Sequence, residues 1–342
     1  MEPVNLNWSE LSFNYIKTDY NVRCYYRNGE WGRLEISSDD HIPIHIAATT
    51  LHYGQEAFEG LKAYRGKDGK VRLFRWQENA KRFRDSARGI MMPEVPDELF
   101  HEAILTAVRL NERFIPPYGT GATMYIRPLL IGTGARVGVK PADEYLFAVF
   151  VIPAGSYFKG GFKPVDFMIV RDMDRAAPLG TGNIKVGGNY AAGMRATERA
   201  HQQGFANALF LDPKEKKYID EAGPANFFAI KGDTYITPKS TSILPSITNK
   251  SLMDLARHLG YKVEQRPVAV EELAEVDEAG ACGTAAVITP IGKIVDVDMN
   301  KTYQISKDGN PGKVSKELYD NLTGIQWGEI EDPFGWTEIV EF

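Results

Sequence analysis

The sequence predicts an α+β fold in two domains joined by an interdomain loop. Three observations carry this. Strand-like and helix-like segments are mixed without the regular alternation of a parallel α/β sheet. A glycine-rich stretch over residues 153–161 follows a strand-like run and reads as a linker. The 342 residues, 43% hydrophobic and 25% charged, suffice for two ordinary soluble domains with cores of their own. The expected division is an N-terminal α/β domain over residues 1–155, a loop over 156–163 and a C-terminal domain over 164–342.

In the first half, residues 71–74 read as a short strand. A helix follows over 77–88, with Ala80, Phe83 and Ala87 on one face. A second helix is expected over 97–114, its apolar face formed by Leu99, Ala103, Ala107, Leu110 and Phe114. Segments 123–131 and 145–152 are rich in β-branched, aromatic and aliphatic residues, as sheet strands are. The second half opens with a strand over 165–170, then a helix from about 190 to 203. Short strands are expected over 208–211, 226–230 and 234–237, separated by turn residues. A helix over 247–259 should stop at Gly260, and a last one should span 314–322. No internal repeat or low-complexity tract is present.

Composition excludes several function classes. Net charge is −5 and no basic block occurs, which argues against nucleic acid as a partner. The first residues lack the cationic start and apolar run of a signal peptide, and no stretch has the apolar length of a membrane span. The two cysteines, Cys24 and Cys282, lie far apart, so neither a disulfide framework nor a metal site is expected. The expectation is a cytoplasmic enzyme.

The most informative residue is Lys185, set in Gly182-Asn183-Ile184-Lys185-Val186-Gly187-Gly188-Asn189-Tyr190 with no Asp or Glu from Arg175 to Thr197. A free lysine titrates at ~10.4 and is not nucleophilic at neutral pH. Distance from carboxylates and loss of water favour the neutral amine, and flanking glycines let backbone approach a ligand. Two readings stand: a Schiff-base lysine, or an ordinary lysine in a flexible loop. The glycine-rich stretches do not support a nucleotide site. Residues 180–185 lack the third glycine of a dinucleotide fingerprint and the Gly-Lys-Ser/Thr ending of a P-loop, and residues 132–137 fail similarly.

Two further features fit the first reading. Ser246 can cap the helix at Ile247, leaving the amides of Ile247 and Thr248 at the positive end of the helix dipole. Plain capping is the alternative. Glu221 lies between two strand-like runs and could hold a pyridinium nitrogen protonated; a solvated turn carboxylate is the alternative. Lysine, anion site and carboxylate together match the needs of pyridoxal 5'-phosphate: an amine for its aldehyde, a phosphate cradle and a counter-charge at its ring nitrogen.

Long motifs in a fixed order sharpen this reading. They are His52-Tyr53-Gly54-Gln55-Glu56-Ala57-Phe58-Glu59-Gly60, Tyr125-Ile126-Arg127-Pro128, Gly187-Gly188-Asn189-Tyr190, Glu221-Ala222-Gly223 and Gly283-Thr284-Ala285. In these the chain resembles the branched-chain amino acid aminotransferases, of the type IV fold of pyridoxal-phosphate enzymes. The resemblance runs from His52 to Pro290. It implies a smaller N-terminal α/β domain and a larger C-terminal pseudo-barrel. It implies that Lys185 carries the cofactor and moves the proton at the substrate Cα, that Tyr190 bonds the phenolic oxygen, and that Glu221 pairs with the pyridine nitrogen. Arg75, Ile247, Thr248 and Thr284 would hold the phosphate. The amides of Thr284 and Ala285 and the Tyr125 hydroxyl would bind the α-carboxylate. Phe58, Tyr157 and Tyr190 would wall the side-chain pocket, and Tyr53, Val137 and Val139 would reach in from a partner subunit of a homodimer. Arg127 would meet the second carboxylate of glutamate, with a structural role as its alternative.

The implied substrates are small amino acids and 2-oxo acids: L-leucine, L-isoleucine or L-valine donating to 2-oxoglutarate. Some positions depart from the family pattern. Ala286 and Thr289 stand where mammalian members carry a redox CxxC, so thiol switching there is excluded. Ser246 replaces a usual glycine, and Pro224 differs from other members. The same fold also resembles D-amino acid aminotransferases and aminodeoxychorismate lyases, which remain the alternative.

Overall fold

A computed structural model describes residues 3–155 and 161–342. The chain forms two compact units: Met1–Tyr157 with Ile184–Gly187 and Gly324–Phe342, and Phe158–Asn183 with Gly188–Thr323. This partition differs from a linear cut at residue 156. Ile184 and Val186 are buried in the first unit's hydrophobic cluster, and the strand Thr337–Val340 pairs with Val71–Phe74, which ties both late segments to the first unit.

The first unit holds β1 (Asn21–Arg27), β2 (Glu30–Trp31), β3 (Glu35–Ser37), β4 (Glu56–Phe58), β5 (Leu61–Arg65), β6 (Val71–Phe74), β7 (Thr123–Gly132) and β8 (Tyr145–Ala154). With Thr337–Val340 they form an antiparallel sheet in the order Thr337–Val340, β6, β5, β7, β8, β1, β2; β3 pairs with β1 and β4 with β7. Alternate side chains point to opposite faces. Cys24, Ala57, Leu61, Ala63, Met124, Ile126, Phe147 and Val149 face the helical layer. Phe58, Lys62, Tyr125 and Arg127 fall on the other face, because Phe58 registers with Leu129 and Lys62 with Tyr125.

Three helices belong to this unit: α1 (Thr49–Tyr53), α2 (Trp76–Gly89) and α3 (Asp97–Leu110). α2 buries Asn79, Ala80, Phe83, Ser86 and Ala87, the stripe expected of an amphipathic helix. α3 stops four residues short of the expected end. The Asn111 side chain donates to the Ala107 carbonyl at 2.8 Å, competing with the helical ladder, and a 3-10 turn over Glu112–Phe114 follows. Phe100, Ile104 and Val108 are its buried residues alongside Ala103 and Ala107, so the stripe is rotated from the expected one. The expected linker also starts late. Pro153 and Ala154 are still strand, paired with Met124 and Thr123.

The second unit holds β9 (Val165–Val170), β10 (Asn207–Leu211), β11 (Ile219–Ala222), β12 (Ala225–Lys231), β13 (Thr234–Pro238), β14 (Lys262–Arg266), β15 (Glu278–Gly283), β16 (Val287–Asp296) and β17 (Lys301–Gln304). Strands β11, β10, β9, β16, β15 and β12 pair in that order, and β11 also pairs with β12, so the ring closes into a barrel. β9 is parallel to both neighbours, and the other ring pairs are antiparallel. Phe167, Ile169, Leu209, Leu211, Phe227, Ala229, Ile291 and Ile294 belong to one buried cluster of this barrel.

Helix α4 (Gly187–Gln202) starts three residues earlier than expected. Asn189 is fixed on both sides by Thr181, which donates from its hydroxyl and accepts at its carbonyl, each at 2.7 Å. This anchors a first turn that the glycines alone would disfavour. α5 (Ile247–His258) is capped by Ser246, whose hydroxyl accepts the Asn249 amide at 3.2 Å, and it ends before Gly260 at φ +90°. α6 (Lys313–Trp327) is longer than expected. The Glu278 carboxylate accepts the Val314 and Ser315 amides at its start, at 3.0 and 2.8 Å.

Candidate active site

In the first unit, Lys185 is tied by its backbone. Its amide donates to the Ser86 hydroxyl at 2.8 Å, and its carbonyl accepts the Phe58 amide at 3.1 Å. Its Nζ lies 4.7 Å from the centre of the Phe58 ring. The residue is half-buried. Desolvation, then the Arg82 charge, push its pKa from 10.5 down to about 8, with Glu59 opposing. A useful fraction of the amine is therefore neutral near physiological pH.

Phe58, Tyr125 and Arg127 share the sheet face beside it. Arg127 Nη2 donates to the Tyr125 hydroxyl at 3.0 Å, and its guanidinium lies 4.7 Å from the Phe58 ring centre and 5.3 Å from that of Tyr125. Its Nε is buried with no hydrogen-bond partner among the described residues. A cation held between aromatic faces with an unused donor fits a second carboxylate. A Cβ at Gly60 would collide with the Tyr125 hydroxyl, so this glycine makes room for it.

Sequence reasoning missed the charged pair behind this face. Glu59 is fully buried and bound by Arg82 at 2.7 Å (Nε to Oε1) and 2.8 Å (Nη2 to Oε2), with Asn79 donating at 2.7 Å. Burial alone would raise the Glu59 carboxyl, but the Arg82 charge and its hydrogen bonds, with Lys185 and Asn79, hold it below the ordinary value. Glu56 accepts the Gly187 amide, and its pKa is raised, chiefly by burial. Lys62, buried on the same face as Tyr125, has its pKa pushed down to about 8 by desolvation. The available signal was charged residues inside an otherwise apolar motif, Glu56-Ala57-Phe58-Glu59-Gly60-Leu61-Lys62.

Arg75 sits at the N-cap of α2 in the left-handed region, φ +48°. Its amide donates to the Trp336 carbonyl at 2.7 Å and its guanidinium stacks 4.7 Å from the Trp336 ring centre. The strained backbone and the stack hold the side chain in one place. Tyr53 donates to the Val137 carbonyl, while Val137 and Val139 are 85% and 82% exposed. Ile46, Leu51 and Tyr53 are also exposed. Tyr157 lies outside the described residues.

In the second unit, Glu221 is buried on β11. Its Oε1 accepts the Leu244 amide at 2.7 Å and lies 3.3 Å from Arg175 Nη2. Asn226, its register partner on β12, donates to the Leu244 carbonyl at 3.1 Å. The segment from Leu244 thus runs from the Glu221 contact to the Ser246 cap, and then to the buried Ile247 and Thr248 of the first turn of α5. Thr284 and Ala285 form the turn between β15 and β16, which ends at Val287 with φ +62°. Tyr190 is partly buried in the first turn of α4. The first unit thus holds a desolvated lysine, and the second holds a buried carboxylate with a cationic partner and a capped helix N-terminus.

Residues 56–294 match the sequence profile of the amino-transferase class IV family, more than half of the chain, and the chain belongs to this family. It is 50% identical over 344 residues to the branched-chain-amino-acid aminotransferase of Haemophilus influenzae, covering 98% of this chain and 99% of that one. Its structure resembles that of the Escherichia coli branched-chain amino acid aminotransferase, with a TM-score of 0.80 and 30% identity over 95% of this chain and 100% of that one. It also resembles the branched-chain amino acid aminotransferase of Thermobaculum terrenum in its PLP form, with a TM-score of 0.78 and 26% identity over 95% and 99%. The α+β, fold type IV class expected from the sequence agrees with these likenesses.

Proposed function

We propose that the protein is a pyridoxal-phosphate-dependent branched-chain amino acid aminotransferase. It moves the amino group of L-leucine, L-isoleucine or L-valine reversibly to 2-oxoglutarate, giving branched 2-oxo acids and L-glutamate. The observation that carries this is the Lys185 amine, its pKa lowered to about 8, beside Phe58 on the sheet face that bears Tyr125 and Arg127. The full-length likeness to proteins named for this activity supports the substrate class.

When bound, pyridoxal phosphate supplies an electron sink for negative charge at the substrate Cα. Lys185 is the residue to hold it, and the freed amine takes the Cα proton and returns it. Glu221 meets the ring nitrogen and Tyr190 the phenolic oxygen. Arg75, Ile247, Thr248 and Thr284 bind the phosphate. The Tyr125 hydroxyl and the amides of Thr284 and Ala285 orient the α-carboxylate. Phe58, Tyr157 and Tyr190 exclude water around an aliphatic side chain, and Arg127 binds the distal carboxylate of glutamate.

Tyr53, Val137 and Val139 are assigned to the neighbouring active site of a homodimer. The exposure of these apolar side chains supports this. No helix among the described residues is long and apolar enough to cross a membrane, and the proposed location is the cytoplasm.

The test is an absorbance spectrum of the purified protein before and after L-leucine. A near-ultraviolet to violet band that shifts on addition and returns with 2-oxoglutarate supports both half-reactions. A band that ignores L-leucine and answers D-alanine replaces the substrate class. A folded Lys185→Ala variant with full activity rejects the role of the lysine.

A further inference from the structure

Glu221 works in the proposed function only if it stays ionised while buried, and burial by itself favours the neutral acid. One donor and one charge oppose that tendency at Oε1: the Leu244 amide donates at 2.7 Å, and the Arg175 guanidinium forms an ion pair with Nη2 at 3.3 Å. Arg175 is not a surface cation that happens to be close. Its side chain is 10% exposed against 3% for Glu221. The same Nη2 donates to the Gly182 carbonyl at 3.0 Å and to the Ser242 carbonyl, so it is fixed by the two loops that flank the carboxylate. Its Nε is buried without a hydrogen-bond partner among the described residues, which means burial of this cation is tolerated at some cost. Two other titratable groups nearby do not supply the charge. Asp220 has its pKa raised, chiefly by burial, and its Oδ2 accepts the Ser242 hydroxyl at 2.5 Å. The Cys282 thiol is pushed up by burial first and by the Glu221 charge in addition.

We propose that Arg175 is a positioning residue that keeps Glu221 ionised, so that the proton shared between Glu221 and the cofactor ring nitrogen rests on the nitrogen. A proton on Glu221 would cancel the Arg175 ion pair, whereas a proton on the ring preserves it. Arg175 thereby sets the strength of the electron sink without touching it. This rests on the assignment of Glu221 to the ring nitrogen made above. It also gives a purpose to the arginine in Asp174-Arg175-Ala176-Ala177-Pro178, ten residues before the lysine.

The test compares Arg175→Gln, Arg175→Lys and Glu221→Gln with the wild type, each as apoprotein and loaded with pyridoxal phosphate. In Arg175→Gln, kcat for L-leucine with 2-oxoglutarate should fall about 10- to 100-fold, the span of one lost buried charge contact, with KM within about threefold. Its visible band should change between pH 6 and 9 where the wild-type band is constant, and Arg175→Lys should restore most of both properties. A kcat loss with an unchanged band would mark a merely structural arginine and overturn the proposal, as would wild-type kinetics. Apo Glu221→Gln should melt below the wild type, because it leaves Arg175 buried beside a neutral amide. Melting at or above the wild type overturns the pairing, and this decides the matter if Arg175→Gln does not fold. A wild-type protein that takes up no pyridoxal phosphate overturns the functional reading, and this proposal with it.

Discussion

Arg82 clasps Glu59 with two hydrogen bonds, at 2.7 and 2.8 Å, around a carboxylate that has no exposed surface. Breaking a buried pair from one side leaves an unsatisfied charge. Arg82→Leu should therefore destabilise the first unit by about 3–5 kcal/mol, read as a lower urea midpoint. The pair also has a pH signature. The folded-state pKa of Glu59 is held below its unfolded value, so its contribution is present above the unfolded pKa and is lost as pH falls through the folded one. Glu59→Gln should flatten the loss of stability below about pH 4. An unchanged acid limb in that variant would mean that the pair carries no net stability.

The same pair tunes Lys185. With a pKa of about 8, the amine becomes increasingly neutral up to that pH, whereas an ordinary lysine would keep gaining to 10.5. The rate at which apoprotein takes up pyridoxal phosphate should rise with pH and level off above about 8–9, since only the neutral amine attacks a carbonyl. Glu59 raises the Lys185 pKa, so Glu59→Gln should move the midpoint downward. Stopped-flow absorbance against pH measures both. A rate still rising about tenfold per pH unit beyond about pH 9.5 would contradict the desolvation of this lysine.

How much of this was legible in the sequence depends on how far apart the partners are. The Ser246 cap and the Gly260 stop are local signals, and each lies where its neighbours indicated. The Glu59–Arg82 pair joins the short link between β4 and β5 to α2, and no periodicity reports such a pairing. Helix α6 begins where it does because Glu278, on β15, accepts its first amides, so its start is written elsewhere in the chain. The end of α3 is a side-chain effect of one buried residue, Asn111. Barrel closure depends on the short pairing of Glu221 and Ala222 with Asn226 and Ala225, which a four-residue strand such as β11 does not announce.

Lys62 shows what burying a cation costs in the apoprotein. It is 6% exposed, and desolvation lowers its pKa from 10.5 to about 8. Between those values the unfolded chain holds the extra proton, so stability rises with pH across the window. Below about 8 the lysine is charged in both states and the full cost applies. Lys62→Met should stabilise the apoprotein at pH 7 by on the order of 3 kcal/mol, the energy of a shift of that size, with the gain fading between about pH 8 and 10.5. Unfolding curves at pH 7 and pH 10 give the comparison. Destabilisation at pH 7 would show that the Lys62 side chain makes interactions worth more than its desolvation.

In the proposed function, Arg127 separates the two substrates that one pocket must accept. Its guanidinium lies between the Phe58 and Tyr125 rings and retains a buried Nε with no hydrogen-bond partner among the described residues. A branched aliphatic side chain needs the aromatic walls and gains nothing from this charge, whereas the distal carboxylate of glutamate has to be paired once water is excluded. Arg127→Gln keeps a polar group of similar reach without the charge. Its kcat/KM for L-glutamate should fall about 100-fold, while that for L-leucine stays within about threefold. Single-turnover spectra with each amino acid in turn resolve the two half-reactions. Equal losses for both would assign Arg127 to support of the Tyr125 hydroxyl, to which it donates at 3.0 Å, and would place recognition of the second carboxylate on another cation.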